Sequence, residues 1–196
     1  MNDMVAWLPS WFGRLLRSIR AGAEKALYVD PSLPAVPATL VVESAAFAQG
    51  GSIPKAHTAD GERTSPPLSW RGVPGSARSV VVLVEDVDSP TGQPFVHLVA
   101  WGGAGEDASL PAGAFAAKGS EAARPGFKLG VNGLHRLGYT PPDPPPGHGP
   151  HVYVFQVYAL DRALALGDRA SRRELANAVR RHAVAKGELR ASYERV

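Results

Sequence analysis

Two segments far apart in the chain carry most of its candidate chemistry: Glu85-Asp86-Val87-Asp88-Ser89-Pro90, and Pro142-Asp143-Pro144-Pro145-Pro146-Gly147-His148-Gly149-Pro150-His151-Val152-Tyr153. Each places acidic, imidazole or phenolic groups where an apolar β-run meets a proline-stiffened loop. Such a junction fixes a small polar pocket on a rigid sheet and keeps the loop from filling it. Together with His97, the residues Asp86, Asp88, His151 and Tyr153 read as a site for a small charged ligand. Carboxylates make sense near an anion as partners of the imidazoles. An aspartate fixes a histidine's tautomer and favours its charged form, so that the other ring nitrogen donates to the ligand. The Tyr153 hydroxyl and loop amides near Gly147 and Gly149 offer further donors. Alternatively, a carboxylate receives an ammonium group from the ligand. The histidine-donor reading predicts that phosphate affinity falls as pH rises through a histidine pKa.

Other readings of the same residues are weaker. A lone histidine on an apolar strand is usually a satisfied core residue. Two His and two Asp suit a divalent metal in type, but no His-x-x-x-His helix or tight ligand spacing supports one. Asp86 or His151 has the chemistry of a general acid or base. No nucleophile with an adjacent base is evident, because Ser89 precedes a proline in a turn with no signature around it. The expectation is therefore no catalytic residue, no metal and no cofactor. Trp70 and Trp101 read as core, His148 as loop-exposed between two glycines, and His57 and Asp60-Gly61 as ordinary turn residues.

The elements that must position these groups are partly legible. Leu40–Glu43, Val80–Glu85, Phe95–Trp101 and His151–Leu160 are short β-branched or aromatic runs bounded by Gly and Pro. Side chains two apart share a strand face. This groups His151, Tyr153 and Phe155; Phe95, His97, Val99 and Trp101; and Val82, Val84, Asp86 and Asp88. Residues 102–150 show little periodicity, as expected of functional or wrapped loops. Ser171-Arg172-Arg173-Glu174 is a capping box that opens a helix, with Gly187 read as its stop and Glu188–Tyr193 as a final short strand. Residues 4–27 read as an amphipathic helix, with Trp7, Leu8, Trp11, Phe12, Leu15, Leu16 and Ile19 on one face and Arg14, Arg17 and Arg20 opposite. Such a helix packs on its own domain or a second copy of the chain, or it lies on a membrane surface.

Composition sets the outer bounds. The 196 residues suit one domain, and 44% hydrophobic with 20% charged residues describe an ordinary globule. With 21 Gly and 18 Pro, many turns are expected, as in an all-β architecture. The net charge of +3 comes without a basic stripe interleaved with aromatics, which argues against nucleic acid. The absence of cysteine removes disulfides and thiolate chemistry and fits the cytosol. With no apolar run long enough to span a bilayer and no signal-peptide pattern, the expected location is cytoplasmic.

Three motifs in order resemble the phosphatidylethanolamine-binding protein family, and most closely its bacterial, Raf-kinase-inhibitor-like branch. They are Ser65-Pro66-Pro67-Leu68-Ser69-Trp70, Glu85-Asp86-Val87-Asp88-Ser89-Pro90-Thr91-Gly92 with His97, and Pro144 through Tyr153. The resemblance implies an antiparallel β-sandwich with a C-terminal helix over residues 38–196. An added N-terminal amphipathic helical extension (1–28) and a Pro-rich linker (29–37) precede it. It also implies an anion pocket for phosphate or a phospholipid head group, with Asp86, Asp88, Pro90, His97, Pro145, Gly149, His151 and Tyr153 as ligand-binding residues. Competing functions are inhibition of a kinase or protease through the pocket rim, or proton-transfer catalysis on a small substrate. Two departures stand out: Asp86-Val87-Asp88 replaces an Asp-Pro-Asp pattern, and His151-Val152-Tyr153 replaces His-Arg-Tyr. A residue between two inward ones on a strand points away from the pocket, so the site is expected to survive both. Ser89-Pro90 retains the option of a cis bond.

Overall fold

The computed structural model describes residues 8–116 and 124–195. Two antiparallel sheets form its frame. One is three-stranded, in the order β1 (Val41–Glu43), β2 (Leu68–Arg71), β5 (Ala108–Leu110). The other is five-stranded and runs β6 (Phe127–Leu129), β4 (Phe95–Gly102), β3 (Ser79–Asp86), β7 (His151–Leu160), β8 (Ala183–Tyr193). The central strand β3 is buried along its whole length, because its valines face apolar layers on both sides. Val80, Val82 and Val84 pack between the sheets with Trp70, Phe115 and Phe155. Val81 and Leu83 pack on the far side with Trp101, Tyr158 and the inner face of α2 (Arg172–His182), through Leu175 and Val179. Each fully buried large side chain contributes on the order of 1.5–3 kcal/mol. The mainly β sandwich with a C-terminal helix is thus as expected from the sequence.

Three local expectations need correction. The pairing of β3 with β4 slips between Val84, opposite Leu98, and Glu85, opposite Val96, so that His97 is an extra, bulged residue. A bulge shifts the phase of alternation. Phe95 and His97 therefore face one way, with rings 5.0 Å apart, while Val99 and Trp101 face α2; the four do not share a face. Asp88 lies beyond the end of β3 rather than in line with Asp86. Gly187 is not a helix stop: α2 ends at His182 and β8 follows directly, with Gly187 inside it. A side chain at Gly187 would place its Cβ 2.3 Å from the Leu40 carbonyl oxygen, so close backbone approach is what the glycine permits there. The capping box is present as read, with Ser171 and Glu174 bonded reciprocally.

The N-terminal helix is shorter than its periodicity predicts. α1 spans Ser10–Leu16, and residues 4–7 of the expected helix, including Trp7, lie outside the described residues. Pro9 holds the residue before it out of helical geometry, which sets the start. The end is set by tertiary partners. The Leu16 carbonyl is taken by His148 (2.8 Å), and the chain turns so that Arg20 reaches Asp88 (2.8 Å) and the Pro150 carbonyl (2.9 Å). Residues 30–37 are pinned rather than free: Asp30 pairs with Arg180 (2.5 Å), and the Pro37 carbonyl accepts from the Lys186 amide (2.8 Å). Among the described residues, no peptide bond is cis, that of Ser89-Pro90 included. No described helix is long and apolar enough to cross a membrane.

Candidate functional site

At one end of the five-stranded sheet, β3 delivers Asp86, β4 delivers the bulged His97 and β7 delivers His151 and Tyr153. Asp86 stands opposite both Phe95 and Tyr153 in the ladder, so register alone brings the three strand ends together. The loop that precedes β7 contributes Asp143, Pro145 and His148.

The imidazoles form a buried chain. Asp86 Oδ2 lies 2.7 Å from His151 Nδ1, and His151 Nε2 lies 2.7 Å from His148 Nδ1. His148 Nε2 lies 2.8 Å from the Leu16 carbonyl oxygen. A carbonyl only accepts, so His148 donates from Nε2 and, while neutral, accepts at Nδ1. His151 then donates from Nε2, and a proton lies between its Nδ1 and Asp86. Burial, with His151 alongside, pushes the His148 pKa below its ordinary value, in keeping with that neutral form. Asp86 Oδ1 accepts the Asp88 amide (2.9 Å), so both carboxylate oxygens have partners.

His97 is different. Its Nδ1 donates to the Thr140 carbonyl at 2.6 Å, whereas Nε2 is buried without a hydrogen-bond partner among the described residues. Burial holds its pKa below the ordinary value, against the opposing pull of Asp86. The neutral ring therefore presents a lone pair at Nε2. The Tyr153 hydroxyl is likewise buried without a partner. Burial, then the nearby Asp86 charge, raises its pKa well above the ordinary phenol. The rings of Tyr153 and His97 meet edge to face at 5.1 Å.

A cavity of about 620 Å³ opens against this group. Of the residues expected at a site, Asp86, Pro90, His97, Pro145 and His151 line it. The other three do not. Asp88 is turned to the N-terminal segment, accepting from the Val152 amide (2.7 Å) and pairing with Arg20. Gly149 packs beside the Arg17 and Arg20 side chains, and Tyr153 sits beneath the cavity lining. His148 is fully buried, not loop-exposed, because α1 covers it. A Cβ on Gly13 would lie 2.0 Å from the Pro146 carbonyl oxygen, so helix and loop meet backbone to backbone. The Gly147 amide bonds to the Arg195 carbonyl (3.2 Å) and is not free to serve a ligand. His57 and Asp60 are more than turn residues: His57 is buried, and Asp60 holds Arg195 (2.6 Å) and Tyr193 (2.5 Å).

Sequence reasoning missed much of the cavity wall. Phe95, Asn132, Arg136, Tyr139, Thr140 and Asp143 line it. Asp143 was visible in the second motif, but its tie to Arg195 (2.5 Å) was not. Asn132 braces the wall by bonding Thr140 Oγ1 (2.7 Å) and the Gly138 carbonyl (3.0 Å). Thr140 acts through its carbonyl, which no sequence pattern marks. A second groove, about 760 Å³, lies along Leu40–Gln49 and Glu188 and contains no imidazole. No cluster of three or more metal-ligating side chains occurs among the described residues.

Comparison with known proteins places this architecture. A family model described as phosphatidylethanolamine-binding protein matches residues 43–194. A UPF0098 protein of Pyrococcus horikoshii is 39% identical over 153 residues, covering 78% of this chain and 75% of that protein. Its counterpart in Pyrococcus abyssi is 38% identical over 157 residues, covering 80% and 86%. A crystal structure of a putative phosphatidylethanolamine-binding protein homolog from Chlamydia trachomatis superposes with a TM-score of 0.72 at 31% identity, over 81% of this chain and 99% of that one. An E. coli protein described as a new member of the mammalian PEBP family gives 0.74 at 28% identity, over 80% and 99%.

Proposed function

The chain belongs to the phosphatidylethanolamine-binding protein family, and from that premise we propose that it is a non-catalytic binding protein whose cavity holds a small phosphorylated ligand, as free phosphate or as a phospholipid head group. The observation that carries this reading is His97, which lines a cavity of ligand size and whose Nε2 is buried with no partner among the described residues. The two carboxylates on that wall do not oppose an anion. Asp86 is engaged by His151 and the Asp88 amide, and Asp143 by Arg195. Arg136, exposed on the same wall, has no ion-pair partner among the described residues.

The chemistry differs from a histidine that simply donates. Because neutral His97 offers a lone pair, a phosphate oxygen docks there only with a proton between them, brought by the ligand or taken up by the ring. Binding is therefore coupled to about one proton, and phosphate affinity falls by up to tenfold per pH unit once that proton is absent from the free species. Isothermal titration with inorganic phosphate at several pH values reads this directly. His97→Ala is expected to weaken binding by at least about tenfold, the scale of one charge-assisted hydrogen bond. Affinity that is flat with pH, or unchanged in His97→Ala, overturns the proposal. Phosphoethanolamine binding tighter than phosphate assigns the head group; equal binding assigns free phosphate. Conversion of either compound to product refutes the non-catalytic reading.

A further inference from the structure

The largest exposed apolar side chains of the described residues concentrate on the N-terminal segment: Trp11 is 55% exposed, Phe12 37%, Leu15 70% and Ile19 46%. At about 100° per residue, Trp11, Leu15 and Phe12 form one continuous arc of α1, and Gly13, seated on the Pro146 carbonyl, lies on the opposite side. The helix is thus fixed to the domain by one face and presents the other, not covered by any described residue, to the surroundings. Arg14 borders the arc, whereas Arg17, one turn on, lies toward the Gly13 side with its guanidinium beside Gly149. Both are exposed, and Arg17 has no ion-pair partner among the described residues. No Asp or Glu occurs between Leu8 and Gly22.

We propose that this face docks on an anionic lipid surface, with Trp11, Phe12, Leu15 and Ile19 entering the interfacial layer and Arg14, at its border, meeting the head-group charge. Two observations select lipid over a second copy of the chain. A two-fold pairing of this face would bring Arg14 toward its own copy with no Asp or Glu in the helix to offset it. The area is also small: a seven-residue helix is about 10 Å long and 10–12 Å across, far below the roughly 800 Å² per partner that a stable dimer buries. A short aromatic and basic face suits the interface between head groups and acyl chains, where tryptophan partitions well and arginine reaches phosphate. The segment lies outside the part matched by the family model, which begins at residue 43. The docking face is therefore a property of this chain's own extension, and it stands whether or not the cavity binds phosphate.

Co-sedimentation of the full chain with vesicles tests it. The expected result is partition onto phosphatidylcholine vesicles containing one-third phosphatidylserine, little partition onto pure phosphatidylcholine, and release at about 1 M salt, where the screening length is about 3 Å. The variant Trp11→Ser/Leu15→Ser, altered only at exposed positions, is expected to lower the partition coefficient at least about tenfold. Arg14→Glu, at the border of the apolar arc, is expected to abolish the preference for anionic vesicles. No partition of the parent chain, or equal partition of parent and variants, overturns the proposal. So does a dimer on analytical ultracentrifugation that dissociates in the Trp11→Ser/Leu15→Ser variant. Phosphate titration of the same variants keeps the cavity's fate separate.

Discussion

Glu85 and Asp86 are adjacent on one strand, both buried and both acidic, yet they face opposite layers and behave differently. Glu85, with no exposed surface, accepts from the Leu27 amide (3.0 Å), Gln156 Nε2 (2.7 Å) and Arg172 Nε (2.5 Å). Next to Glu85 the pattern continues, with the Tyr158 hydroxyl donating to Gln156 Oε1 at 2.7 Å, although Trp101 Nε1, also in that layer, has no partner among the described residues. Around Asp86 the accounting does not close, because His97 Nε2 and the Tyr153 hydroxyl have no partners among the described residues and a cavity stands beside them. A buried charge whose every neighbour is bonded ties elements together. Here Glu85 ties the N-terminal segment, β7 and α2 to β3. A buried cluster left with unanswered groups stores unspent hydrogen-bonding capacity, and that is where a ligand has something to gain.

The sharpest break of this contrast is Glu85→Ala, which strands Arg172, Gln156 and the Leu27 amide together. It is expected to cost about 3–5 kcal/mol in urea denaturation; a loss under about 1 kcal/mol removes the structural role assigned to Glu85. Next is Tyr158→Phe, which leaves Gln156 Oε1 unanswered in a dry layer. Its expected cost is about 1–3 kcal/mol by the same measurement. The smallest effect belongs to Tyr153→Phe on the other face of the same strand, which deletes a hydroxyl that nothing answers. Stability is expected to hold or to rise by up to about 1 kcal/mol. If thermal unfolding shows Tyr153→Phe as costly as Tyr158→Phe, the two faces are alike and the comparison fails.

How much of this could be read from the sequence follows only in part the length of each signal: β8, the longest strand, is half hidden because Gly187 reads as a helix stop. β3, β4 and β7 announce themselves because eight to ten consecutive residues carry the pattern. β5 and β6 are three residues each, too short for alternation to register. Proline, histidine and aspartate at strand ends pointed to a pocket at one end of the sheet. The bulge at His97 was invisible, since a phase slip is a property of a strand pair rather than of one strand. The burial of His148 is hidden for a similar reason. Gly147 and Gly149 look like a flexible loop, but the second glycine of the contact, Gly13, is more than a hundred residues away. The extent of α1 was overestimated because periodicity describes an isolated helix, whereas Pro9 and the pull of His148, Asp88 and Pro150 decide where this one begins and ends.

The direct passage from α2 into β8 carries a consequence for how this chain can vary in length. No spacer separates His182 from Ala183, and the inward positions of β8 are Ala185, Gly187, Leu189, Ala191 and Tyr193. Val184 is the slack in this seam: Ala159 pairs with Ala185 and Leu160 with Ala183, so Val184 is an extra, bulged residue. Its removal would keep the phase of β8, whereas a one-residue change beyond Ala185 would rotate Lys186, Glu188 and Arg190 into the layer the inward residues occupy and lift Gly187 away from the Leu40 backbone. A change of length by one residue is thereby steered to the bulge at Val184 and kept out of the strand beyond it.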